Sequence, residues 1–177
     1  MKVVIDTNVL LVANEQHADV SPECVAECVQ RLRSMQTSGI TVIDDRYRIL
    51  QEYQNKTRIK PPKGVGDVFL KWLLRNAGNT RHVETVTITE TAEDTFAEFP
   101  DPALQAVFDR PDRKFAAVAH AHADKPPIWQ ASDCKWLDWW PALHARGVVV
   151  HFLCHADVCR FYESKFPGRM LQALPDG

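Results

Sequence analysis

The sequence predicts an α/β protein built on a central, mainly parallel sheet, and three observations predict it. Short apolar runs without polar alternation, VVI (Val3–Ile5), ITVI (Ile40–Ile43) and VVVHFL (Val148–Leu153), read as strands covered on both faces. Between them lie segments whose apolar residues recur at helical spacing. Strands and helices alternate along the chain, the order that builds a parallel sheet with helices packed on it. At 177 residues the chain is long enough for one substantial core, so a single domain is expected over 1–177, with a basic helical insertion around 56–81.

Each element follows from its residues. The first strand runs directly into Asp6, at the carboxyl end where open α/β sheets place their ligand crevice. SPECVAECVQRLRSMQTSG has a Ser21 cap, Pro22 in the first turn, apolar Val25, Cys28, Val29, Leu32 and Met35, and Gly39 as a stop, so it predicts an amphipathic helix. The ITVI strand ends at Asp44 and Asp45. DRYRILQEYQNK predicts a helix with Ile49, Leu50 and Tyr53 on its apolar side and Glu52 beside them. TRIKPPKGVG (57–66) predicts a loop, because its prolines and glycines stop regular structure. DVFLKWLLRNAG predicts a helix, RHVETVTI alternates as a strand, and PALQAVF predicts a short helix after an acidic stretch. DRKFAAVAHAHAD predicts a helix whose small residues Ala116, Ala119 and Ala123 allow close approach to a sheet. IWQAS predicts a short strand delivering Asp133, CKWLDWWPALHARG a helix broken near Pro141, and ADVCRFYESKF the last helix.

Charge and cysteine content exclude several classes. The net charge is −2, so the chain as a whole is no polycation, but its charge is unevenly spread. From Arg46 to Arg81 there are nine Lys/Arg against Glu52 and Asp67; from Glu84 to Asp112 eight acids face Arg110 alone. No stretch is long and apolar enough for a membrane span, and the opening apolar run is too short for a signal peptide. The five cysteines, Cys24, Cys28, Cys134, Cys154 and Cys159, are odd in number and scattered, so free thiols and a cytoplasmic location are expected. HFLCHADVC (151–159) fits no common zinc spacing.

Four acids stand out by position: Asp6 after the first strand, Glu52 on the helix after the second, Asp112 at the start of the alanine-rich helix, and Asp133 after IWQAS. Facing one crevice they would repel, and some would have to take up protons; a divalent cation removes that cost. Oxygen donors without a nearby His or Cys suit Mg²⁺ or Mn²⁺, ions that support phosphodiester hydrolysis. Helix capping explains Asp112 and Asp133 as well.

VVIDTNVLL, RILQEYQNK, DRKFAAVAHA and ASDCKW resemble, in order, the four acidic motifs of the PIN-domain family. The resemblance implies a three-layer α/β/α sandwich and a Mg²⁺- or Mn²⁺-dependent nuclease acting on single-stranded RNA. It makes Asp6, Glu52, Asp112 and Asp133 the catalytic and metal-binding acids, with Thr7, Asn8 and Ser132 in support. Thr7 is expected to bond a neighbouring carboxylate or a phosphate-bound water, and Asn8 to brace the turn or cap a helix. Ala131 and Lys135 depart from the family, which often has Thr and an acid there. Asp109 rivals Asp112, while Asp44, Asp45 and Asp138 read as caps or surface.

Lys56, Arg58, Lys60 and Lys63 are the expected contacts to a nucleic-acid backbone; Trp72 offers stacking or, among Phe69, Leu73 and Leu74, core. At least two of Trp136, Trp139 and Trp140 are expected to be buried. The family suggests the toxin of a toxin–antitoxin pair with a cognate antitoxin protein, and a homodimer; RNA-processing, defence and structured-DNA nucleases are the other enzymatic roles. The reading from another class is a catalytically silent PIN-like module that binds RNA or protein.

Overall fold

The structure is a computed structural model, and it describes residues 1–175. Five strands, β1 (Lys2–Ile5), β2 (Ile40–Asp44), β3 (Val83–Val86), β6 (Ile128–Gln130) and β7 (Val150–Phe152), form one sheet in the order β3-β2-β1-β6-β7. Every pairing in it is parallel, as the unbroken apolar runs require. Val3, Val4, Ile5, Val42 and Ile43 are wholly buried, which is what strands covered on both faces must achieve.

The helices flank this sheet, the arrangement of a three-layer α/β/α sandwich. α1 (Thr7–Ala13), α2 (Pro22–Ser38), α3 (Arg48–Lys56) and α4 (Val65–Arg75) pack on one another, while α6 (Arg113–Ala121) lies across β1, β2 and β6. Ala116, Ala117 and Ala119 are wholly buried there, so small side chains do let α6 approach the sheet. Ala123 lies beyond the helix end and is exposed. α5 (Pro102–Val107), α7 (Trp136–His144) and α8 (His155–Lys165) complete the helices. Among the described residues no helix is long and apolar enough to cross a membrane.

The chain starts at β1, moves outward through β2 to β3, then returns to the other side of β1 for β6 and β7. The strand order therefore reverses between β1 and β6, and the crevice beyond their carboxyl ends is where an open α/β sheet receives a ligand. Asp6 follows β1 and Asp133 lies three residues after β6.

Several expectations need correction. α1 adds a helix between β1 and α2, and Asp6 rather than Asn8 is its cap. α4 begins at Val65, inside the expected loop; Gly66 sits so near α1 that an added Cβ would collide with the Leu10 carbonyl. α7 runs through Pro141 to His144 without breaking. The acidic stretch forms an antiparallel hairpin, β4 (Glu90–Ala92) with β5 (Thr95–Phe96). Cys24 and Cys154, 130 residues apart in sequence, form a disulfide between α2 and the residue before α8, against the expectation of free thiols. Cys28 lies within 4.8 Å of both sulfurs, and burial pushes its thiol up to about 12. Cys28, Cys134 and Cys159 are free. Trp136 and Trp139 are buried as expected, and half-buried Trp72 packs on Phe69 and His82 at the margin of the core.

Candidate functional site

Asp6 owes its position to the end of β1. Its backbone N–H bonds the Trp129 carbonyl of β6 at 3.0 Å, and the Tyr53 hydroxyl donates to the carbonyl of Ile5 just before it. The chain then turns into α1, which Asp6 caps by accepting from the Asn8 N–H at 2.8 Å. One carboxylate oxygen is spent on the cap, and the residue is only 4% exposed.

The two residues after Asp6 tie the crevice together from opposite sides. Thr7 Oγ1 donates to Glu52 Oε1 at 2.5 Å, fastening α1 to α3. Asn8 Oδ1 accepts from both the backbone N–H and the hydroxyl of Ser132, at 2.8 and 3.2 Å, and so clips the loop after β6 to α1. Thr7 thus meets a carboxylate, and Asn8 braces a turn. Ser132 in turn holds the approach to Asp133, whose Oδ1 accepts the Lys135 N–H at 3.1 Å.

Asp112 ends a single 3-10 turn (Arg110–Asp112) that leads into α6, and its side chain makes no capping hydrogen bond. Burial, followed by the charges of Asp6, Asp133, Glu52 and Asp109, pushes its carboxyl up to about 9. Burial likewise lifts Asp6 to about 7; the Asn8 N–H opposes this, and Glu52 and Asp133 reinforce it. Asp133 is raised by burial against the pull of the Lys135 N–H and the Lys165 and Lys135 charges. The charges of Glu52 and Asp133 thus bear on both Asp6 and Asp112.

Sequence reasoning missed Lys114. It lies on α6 two residues after Asp112, is 7% exposed, and its Nζ donates to Glu52 Oε2 and to the Pro111 carbonyl. The only sequence signal was its place in the DRKF motif. Also missed was the pair of Lys135 Nζ with Asp109 Oδ2 at 2.5 Å, which occupies the rival acid and leaves Asp112 as the unpaired one of the two.

The donors facing the crevice are carboxylate oxygens, the kind hard divalent cations take. Among the described residues no three of these acids bring oxygens within 4.8 Å of one another, so the arrangement is open. The triad of ligating side chains that does reach that spacing is Cys24, Cys28 and Cys154, and there the disulfide uses two of the sulfurs.

Two cavities adjoin the acids. One of about 360 Å³ is lined by Asn8, Ser132, Asp133, Phe161 and Lys165. The other, of about 570 Å³, runs along α3 past Glu52 and Lys114 and includes Lys56. Lys63 instead lines a cavity among α1, α2 and α4, so the basic residues predicted to act together do not share one surface. Arg58 and Lys60 are exposed on the segment between α3 and α4. Asp44 caps α3 through the Arg48 and Ile49 N–H groups, Asp45 accepts from Thr87, and Asp138 accepts from Tyr162. No family model matches the chain, and neither curated proteins nor solved structures give a match.

Proposed function

We propose that this protein is a Mg²⁺- or Mn²⁺-dependent endoribonuclease that hydrolyses phosphodiester bonds of single-stranded RNA. One observation carries the reading: at the switch point of the sheet the charges of Asp6 and Asp133 bear on Asp112, a largely buried acid whose side chain makes no capping hydrogen bond. The four motifs resembling PIN-domain nucleases support the same reading.

In this proposal Asp6, Glu52, Asp112 and Asp133 would hold the cation, which when bound supplies Lewis acidity at the phosphoryl oxygens and lowers the pKa of water. Thr7 and Lys114 fix the two oxygens of Glu52 in place, so Glu52 orients at the rim of the crevice without rotating freely. The Lys114 ammonium is a fixed positive charge beside Glu52, of the kind that stabilises charge developing on a phosphoryl group in the transition state. A carboxylate of the cluster accepts the proton from the attacking water. By analogy with the family, the products carry a 5′-phosphate and a 3′-hydroxyl.

A second reading has its own observation. Lys114 already neutralises Glu52, as an internal cation does in a catalytically silent module that binds RNA or protein. The two separate in one assay: purified protein with mixed-sequence single-stranded RNA and Mn²⁺ or Mg²⁺, beside Asp6→Asn and an EDTA control. Metal-dependent cutting that vanishes in Asp6→Asn is the expected result. Folded wild type that cuts nothing under these conditions leaves the silent module standing.

A further inference from the structure

The 570 Å³ groove along α3 meets the acids at Glu52 and Lys114, which line both. Its wall follows from the helix repeat. Arg48, Glu52 and Lys56 form one stripe at four-residue spacing, and Tyr47, Gln51 and Asn55 form the next. Gln51 Nε2 donates to Asn55 Oδ1 at 3.0 Å, which aligns the two amides along the groove. Arg46 and Lys56 have no carboxylate within 4.0 Å among the described residues, whereas Arg48 is held by Asp44 and Glu90.

Tyr47 is the unusual residue here. It sits at the start of α3 with φ 58° and ψ 26°, the left-handed region that a bulky side chain enters only at a cost. The outcome is an aromatic ring 48% exposed, against the hydrophobic interest of the ring and the conformational interest of the backbone. The opposite wall carries Asp94 on the β4–β5 hairpin, whose position Arg113 fixes through the Asp94 carbonyl at 3.3 Å and Thr95 Oγ1 at 3.2 Å. The lining carries Arg46, Arg48, Lys56 and Lys114 against Glu52 and Asp94, an excess of positive charge that suits a phosphate backbone.

We propose that this groove seats the RNA strand flanking the scissile phosphate, with a base stacked on Tyr47 and backbone phosphates held by Arg46 and Lys56. The proposal rests on the ribonuclease reading for its substrate and adds to it a binding track that the acids do not supply. Base–aromatic stacking is tolerant of sequence, and the Gln51 and Asn55 amides offer donors and acceptors to base edges.

The test measures binding and cutting separately. Binding of a fluorescein-labelled, mixed-sequence single-stranded RNA is followed by anisotropy in EDTA, for wild type, Tyr47→Ala, Tyr47→Phe, Arg46→Ala/Lys56→Ala, and Arg33→Ala on the exposed side of α2; all are checked for folding by circular dichroism. Tyr47→Ala should weaken binding about tenfold or more, with Tyr47→Phe close to wild type. The double variant should reduce the slope of log K against log salt by about 1.4, the amount for two phosphate contacts on a single strand. Arg33→Ala should change neither. Wild-type affinity and salt slope in both folded groove variants overturn the proposal, even if the protein cuts RNA. Weakened binding in both, with a wild type that cuts nothing, overturns the nuclease and leaves the groove.

Discussion

Asp67 and Asp112 are both drawn in from solvent, yet the chain surrounds them in opposite ways. Burial alone would raise the Asp67 carboxyl, but the N–H groups of Arg58, Lys63 and Gly64, at 2.9, 2.9 and 3.2 Å, and the Asn14 amide at 2.8 Å hold it below its ordinary value. Its charge organises the segment between α3 and α4 and starts α4. Asp112 has burial without those donors and has Asp6, Asp133, Glu52 and Asp109 for neighbours, so its carboxyl rises. Asp44 belongs with Asp67, since two backbone N–H groups of α3 satisfy it. A buried carboxylate that collects donors is holding the fold together. One that collects only other carboxylates carries the repulsion that the proposed cation would relieve.

That contrast breaks most clearly if the two residues respond alike to substitution. Asp112→Asn should lower RNA cleavage by about 1000-fold or more while leaving the melting temperature in EDTA at or above the wild-type value, because the neutral amide needs no proton uptake on folding. Asp67→Ala leaves three backbone donors and the Asn14 amide without their acceptor, which costs about 3 kcal/mol, or roughly 6–12 °C in a chain of this size. Thermal unfolding and single-turnover cleavage on both variants check the pair. An Asp112→Asn protein destabilised as much as Asp67→Ala would make Asp112 another structural acid.

A pH series sharpens the same comparison. Without divalent cations, folded Asp6 and Asp112 retain protons up to about 7 and about 9, whereas the unfolded chain releases them near 3.8. The folded state therefore binds more protons, and stability from these two groups is full at low pH and lost as pH rises through 7 and 9. Asp67 acts with the opposite sign: its lowered value gives stability that is present above 3.8 and is lost only as pH falls further. The melting temperature in EDTA should fall between about pH 6 and about pH 9, and saturating Mn²⁺ should remove the fall. A profile in EDTA that is flat or rising over that range would contradict the assignment of the acids.

What could be read in advance followed local rules. Continuous Val/Ile runs announced β1 and β2, Ser21 and Gly39 bounded α2, and the alternation of elements gave a parallel sheet. Asp6 was legible as a strand-end acid, because its place is set where β1 turns into α1, whereas the partners of Thr7 and Asn8, Glu52 and Ser132, lie 45 and 124 residues away. The rest depended on contacts between distant segments. Lys114 reaches Glu52 across 62 residues and Cys154 reaches Cys24 across 130, and no periodicity reports such meetings. The split of Lys56 and Lys63 onto different surfaces has the same origin. Charge clustered in sequence had suggested one patch, but the turn around Asp67 sends the second half of the segment to the α1–α2 side.

The smallest expected effect concerns the one bond that joins the strand-end acid's helix to the α3 acid. Thr7 Oγ1 meets Glu52 Oε1 in a largely buried position, and valine matches threonine in shape while lacking the hydroxyl. Thr7→Val should cost about 1 kcal/mol in stability, the net value of one such bond. If Thr7 acts only as part of the fold, cleavage by the folded enzyme will not change, since the loss is far too small to unfold it. If it holds Glu52 for the reaction, cleavage falls by about 10-fold, as it does when a supporting partner of a metal-site ligand is removed, and the loss should appear in the Mn²⁺ concentration needed for half-maximal rate. Thr7→Ser, which restores the hydroxyl, should recover most of both. A stability loss with no change in rate or Mn²⁺ requirement would move Glu52 and its lysine to the side of Asp67, leaving Asp6, Asp112 and Asp133 as the whole of the cation-seeking set.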